Sequence, residues 1–136
     1  MADEASLPFE SLDFVYMPAT DVAAELEHVT TVLGGEVGWA IERFGTRVAM
    51  VRLAAGRPEL LLAEHLEGER PLLVYRVASL ETAVEVLTAR GWVEQVRAGM
   101  PYGPLSVFAT PGGMQLAIYE NTRPHAAEML AGRRDF

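Results

Sequence analysis

Cysteine is absent from this 136-residue chain, which excludes disulfides, thiolate nucleophiles and cysteine-held zinc or iron–sulfur centres. Basic clusters are missing too. With a formal charge of −8 and no run of Lys or Arg, the chain lacks the basic surface that phosphate-backbone binding needs, so nucleic acid is not an expected partner. The acidic start MADEASLPFES carries no apolar core, so it reads as neither a secretion signal nor a membrane anchor. The expectation is a cytoplasmic protein with no membrane partner. Histidine is scarce, and His28, His65 and His125 share none of the helical spacing by which paired histidines grip a metal. All three read as surface residues, with His65 the one whose strand parity, shared with Glu59, would let it turn inward.

What is present is globular composition, half apolar and 22% charged, in a length that suits a single domain over 1–136. The run LDFVYM at 12–17 reads as a strand ended by Pro18, and Asp21 can cap a helix whose apolar positions Val22, Leu26, Val29 and Leu33 recur at helical spacing up to Gly34-Gly35. Strand-like runs follow at 36–43, 46–53 and 59–64. The same order then restarts: a strand at 72–77, Ser79 as cap, a helix at 80–90 ended by Gly91, and strands near 92–98, 105–109 and 114–120. A constant shift of 58 residues, with no gap, lays Phe14 on Leu72, Asp21 on Ser79, Phe44-Gly45 on Tyr102-Gly103 and Glu59 on Ala117. The expected fold is therefore α+β, two βαβββ repeats at about 11–65 and 71–121 with a tail over 122–136. Each half-sheet would bury one face under its helix and leave the other concave, giving a partly closed mixed sheet with the helices outside.

Three segments carry a resemblance that spans about residues 11–122: LDFVYMPATD, LLVYRVASLETA and TPGGMQLAIYE. In this order they resemble the vicinal oxygen chelate superfamily, which contains glyoxalase I, extradiol dioxygenases and bleomycin-resistance proteins. The last segment is similar to the family's Asp-Pro-x-Gly turn, with Thr110 in place of the Asp. The resemblance implies that a metal, where the family holds one, is gripped from the first and fourth strands of each half. Those positions resemble Phe14, Glu59, Leu72 and Ala117 here, and three of the four have no lone pair to donate. No metal and no cofactor are therefore expected.

Strand alternation places Phe14, Tyr16, Glu59, Leu61, Ala63, Leu72, Val74, Arg76, Gln115, Ala117 and Tyr119 on the inward face. Trp39, Met50 and Phe108 are further candidates. Such a mixture of aromatic, aliphatic and a few polar groups suits a small-molecule site. Glu59 is the candidate general base, or the partner of a cationic ligand. Arg76 is a candidate clamp for an anion, or the partner of a neighbouring carboxylate. The loop Ala98-Gly-Met-Pro-Tyr-Gly-Pro104 suits a rim that presents Tyr102, and the tail helix PHAAEMLAGRR suits an edge cover or a subunit contact. The resemblance implies a homodimer and favours a metal-independent binder of the bleomycin-resistance type, with a planar cationic ligand stacked on Tyr16, Trp39, Phe44 and Tyr102. The alternative is an enzyme, metal-free with Glu59 as base and Arg76 or Tyr119 steadying the anion, or metal-dependent if Glu59, His65 and Glu120 all turn inward.

Overall fold

The computed structural model describes residues 7–66 and 70–136. Its elements are β1 (Ser11–Pro18), α1 (Val22–Thr31), β2 (Glu36–Arg43), β3 (Thr46–Arg52), β4 (Glu59–Ala63), β5 (Leu72–Val77), α2 (Leu80–Ala89), β6 (Val96–Met100), β7 (Gly103–Ala109), β8 (Gln115–Glu120) and α3 (Ala126–Leu130). The expected βαβββ order thus occurs twice. The tail helix is shorter than expected, and the strand expected near 92–98 begins instead at Val96. No helix among the described residues is long and apolar enough to cross a membrane.

The chain divides into two compact units, one built from residues 14–72 with 127–136, the other from residues up to 13 with 73–126. In the first, β1 and β4 pair in parallel, whereas β3 pairs antiparallel with both β4 and β2. Helix α1 begins where it does because the Asp21 carboxylate accepts the Ala24 N–H at 3.1 Å, satisfying one of the donors a helix start leaves orphaned. Its stripe of Val22, Leu26 and Val29 packs on Ala40, Ala49, Val51 and Leu62. Burying such a stripe supplies the driving force at roughly 25 cal/mol per Å² of apolar surface. Alternation then sends Trp39, Met50, Leu61 and Tyr16 to the opposite sheet face, where register aligns them as one cross-strand row.

The tail closes this unit's edge. Gly132 donates to the Gly38 carbonyl, Ala40 to that of Arg133 and Asp135 to that of Ala40, each at 2.8 Å. Phe136 packs against the apolar cluster under α1, with the Arg47 guanidinium 4.8 Å from its ring centre. Covering the outer groups of β2 removes a free strand edge.

In the second unit β5 pairs with β8 in parallel, and β7 pairs antiparallel with β8 and β6. Ser79 caps α2 through its hydroxyl, which accepts the Thr82 N–H at 3.3 Å. Leu80 packs with Val77, Phe108 and Ile118, and Trp92 meets Phe108 edge to face at 4.7 Å. Phe108 therefore belongs to the helix side of its sheet and not to the opposite face, a correction that follows from its register opposite Leu116.

Register also corrects the constant repeat shift. The helices obey it, since Val22 and Leu80 lie 58 residues apart and both open a helix. The β2–β3 turn, however, joins Arg43 to Thr46 and its counterpart joins Met100 to Gly103, a separation of 57. Strands β4 and β8 begin at Glu59 and Gln115, a separation of 56. One residue is lost before the second hairpin and another in the loop before the last strand. The counterpart of Glu59 is thus Gln115, not Ala117. The same offset pairs two carboxylates: Glu64 accepts the Val22 N–H at 3.1 Å and Glu120 accepts the Leu80 N–H at 2.9 Å. Each helix start is capped by a glutamate at the end of the fourth strand of its own repeat, Glu64 just past β4 and Glu120 as the last residue of β8.

Candidate functional site

The face opposite α1 carries the densest set of candidate groups. Phe14, Tyr16, Trp39, Met50 and Leu61 are all buried there, forming an aromatic and aliphatic surface. Phe14 stands beside Glu59 in the β1–β4 ladder. The Glu59 side chain is only 17% exposed, and the Arg52 guanidinium lies 3.1 Å from its carboxylate. A carboxylate against apolar walls needs such a partner, because removal from water is costly when uncompensated.

Arg52 has a prepared seat. The β2–β3 register slips between Val37 and Trp39, and the residue at the slip is Gly38. A Cβ there would stand 2.3 Å from the Met50 methyl carbon and 3.3 Å from Arg52 Nη1. Only glycine leaves that space without displacing Met50. From the loop before β4, the Arg57 guanidinium sits 5.8 Å from the Phe14 ring centre, within cation–π range. His65 is the other ionisable group nearby, its ring edge-on to Tyr16 at 6.3 Å. Partial burial holds its pKa below the usual histidine value. Phe44, by contrast, is fully exposed at the β2–β3 turn with a φ of 53°.

The remaining candidates fall in several environments. Leu72 is buried at the start of β5, and Val74 and Ala117 are buried partners in the β5–β8 ladder. Gln115 is exposed at the start of its strand. Arg76 pairs with Glu10 at 3.4 Å, taking the ion-pair option, and its side chain is 42% exposed. Tyr102 is not a rim aromatic: its ring is buried, and its carbonyl accepts the N–H groups of Thr122 and Arg123. The turn that was to present it is tied down by the segment following β8. Glu120 is committed to the start of α2 and so does not join Glu59 and His65.

Tyr119 carries a partner that strand alternation does not reveal. Its hydroxyl donates to Asp13 at 2.5 Å, and Ser11 donates to the other oxygen of the same carboxylate at 2.5 Å. Asp13 and Tyr119 are each only 1% exposed, so the hydroxyls replace the water that the carboxylate loses. The signal was a single acid inside the apolar run LDFVYM, a position where a charge requires a buried partner.

A divalent metal does not fit these residues. Phe14, Leu72 and Ala117 have no donor atoms, and replacing Ala117 by its register equivalent Gln115 gives one carboxylate and one amide where three or four convergent ligands are needed. Among the described residues no group of three or more His, Asp or Glu is placed to hold an ion.

No protein-family model matches the chain, and no curated protein sequence matches it. Solved structures do. Methylmalonyl-CoA epimerase from Mycobacterium tuberculosis is 18% identical, with a TM-score of 0.72, over 93% of this chain and 97% of its own. A hypothetical protein from Bacillus halodurans is 15% identical with a TM-score of 0.71, covering 83% of this chain and 95% of its own. A variant of the Streptomyces coelicolor methylmalonyl-CoA epimerase, in complex with 2-nitronate-propionyl-CoA, is 16% identical with a TM-score of 0.67 over 85% of this chain and 96% of its own. At such identities the likeness speaks to architecture alone, and it agrees with the twice-repeated βαβββ order: the chain has the vicinal oxygen chelate fold.

Proposed function

We propose that this protein is a metal-independent enzyme that moves a proton at a carbon next to a carbonyl group, with Glu59 as the general base. The observation that carries the reading is Glu59 itself, a mostly buried carboxylate beside Phe14, held by Arg52 at 3.1 Å. That methylmalonyl-CoA epimerases are among the structural neighbours supports the same class of chemistry. In the proposed step the Glu59 carboxylate takes the α-proton, the C–H electron pair moves into the carbon–carbonyl bond, and the carbonyl oxygen becomes an enolate oxygen. Return of the proton regenerates the carbonyl and the carboxylate, so atoms and charge balance. The Arg52 guanidinium, adjacent to the base, opposes the negative charge that moves onto the substrate. Trp39, Tyr16 and Met50 supply the apolar surface on which the substrate rests.

A second reading, binding without chemistry, is favoured by the aromatic row and by the missing metal donors. We carry a homodimer with either reading as the proposed assembly. The two readings separate on deuterium exchange into the α-position of a panel of short 2-oxo acids and acyl thioesters, followed by proton NMR. The enzyme reading expects exchange above the buffer rate, reduced by about 10²- to 10⁴-fold in Glu59→Gln with substrate affinity retained. Ligand-dependent protection against unfolding without exchange would favour the binder.

A further inference from the structure

The charges around this face decide what kind of ligand it takes. Every one of the 11 basic residues in the chain is arginine, and two of them, Arg52 and Arg57, flank the Phe14–Glu59 pair. An aromatic row alone would suit a planar cation, the ligand that the sequence suggested. Among the described residues, a cation entering beside Phe14 would meet two guanidinium groups and the Glu59 carboxylate already engaged by one of them. Glu36 lies across the ladder from Arg52 but is exposed to water on the outer strand, where its attraction for a ligand is screened.

The two arginines are also placed for an anion. Arg52 spends one Nη on Glu59, while a guanidinium offers five N–H donors in a planar fork that matches carboxylate and phosphate oxygens. Its position is built in by the slip at Gly38, where a side chain would crowd both Met50 and the guanidinium. Arg57 reaches over Phe14 from the loop between β3 and β4. Both guanidinium groups therefore border the aromatic sheet face at the Phe14–Glu59 pair.

We propose that the ligand of this site carries an anionic group, a carboxylate or a phosphate monoester, held by Arg52 and Arg57 beside Phe14. The apolar part of the ligand lies along the row of Tyr16, Leu61, Met50 and Trp39. The inference rests on the proposed use of the Glu59 face and deepens it, because an anchored anion at one end fixes which carbon faces the carboxylate of Glu59.

The test is calorimetric titration of the full chain with succinate, with inorganic phosphate and with choline at low ionic strength. Saturable binding of one or both anions is expected, weakened by about ten- to a hundredfold in Arg57→Gln, as loss of a charged hydrogen-bonding partner predicts, and weakened again by added sodium chloride. Arg57 lies on an exposed loop, so its variant keeps the fold, and circular dichroism checks this. Arg52→Gln gives the same loss if both guanidinium groups act together. The preferred anion separates a carboxylate ligand from a phosphorylated one. Saturable choline binding, no saturable binding of either anion, or anion affinity unchanged in both variants each overturns the proposal. Proton exchange that depends on Glu59 without saturable binding of either anion would leave the enzyme reading standing and remove only the anion clamp.

Discussion

Glu94 shows how one side chain can tie a loop to a sheet and make that tie depend on pH. Its carboxylate accepts from the fully buried Ser106 hydroxyl at 2.5 Å and from Arg97 at 2.6 Å, and Arg97 also reaches Glu81 at 2.9 Å. The Ser106 hydrogen bond, followed by that from Arg97, holds the Glu94 pKa below its ordinary value. A folded-state pKa below the unfolded one adds stability above the ordinary glutamate range, and this is lost as pH falls through the folded value. Ser106→Ala is therefore less stable than wild type at neutral pH, and the gap narrows on acidification below about pH 4. Urea titrations at a series of pH values read this directly, and a gap that stays constant would show that Glu94 is not the linked group. Ser106 did not stand out in the sequence, because nothing local distinguishes a buried serine in VFA-flanked surroundings from a solvated one.

At the level of elements, the two helix starts repeat the same device with different spacing. Asp21 and Ser79 accept N–H groups inside the first turn, and Glu64 and Glu120 accept those of Val22 and Leu80. A carboxylate at this end of a helix also meets the positive end of the helix dipole. Glu64→Ala and Glu120→Ala should each cost about 1 kcal/mol of stability, the usual size of a lost cap. The midpoint of chemical denaturation measures it, and an unchanged midpoint in either variant would show that solvent replaces that carboxylate without loss. The caps Asp21 and Ser79 were legible because they neighbour the residues they serve. The glutamates were not, since each lies 40 or more positions from its helix start and the two are related by the shift of the fourth strands, not by that of the helix starts they serve.

For the whole molecule, the decisive departure from the familiar pattern of this fold is chemical. The positions that resemble metal ligands hold Phe14, Leu72 and Ala117, and correcting the register replaces only the last, by Gln115. Protein dialysed against nickel, zinc, manganese or iron(II), then against buffer, should retain less than about a tenth of an equivalent of any of them, as a site short of ligands requires. Plasma mass spectrometry measures it. Retention near one equivalent would mean that donors outside the assigned positions converge, and the proposed metal-free step would fall. The formal charge of −8 makes adventitious, salt-sensitive cation uptake the background to be washed away.

The sequence by itself determined the order of elements, the apolar stripes, the helix caps beside their helices and the lack of donors at the metal-like positions. Each of these is a matter of residue type and short-range periodicity, which the chain carries locally. Tertiary structure alone decided the rest. It set the register that replaces Ala117 by Gln115, buried Tyr102, gave Arg76 to Glu10 and Glu120 to α2, joined Asp13 to Tyr119 and laid the tail along β2. It also brought Arg52 to Glu59 and Arg57 to Phe14, turning an aromatic face expected to suit a cation into one proposed for an anion. The physical reason is common to all of these. A two-residue change in loop length or one slip at a glycine leaves the pattern of each strand intact, but it changes which side chains from distant strands stand next to one another.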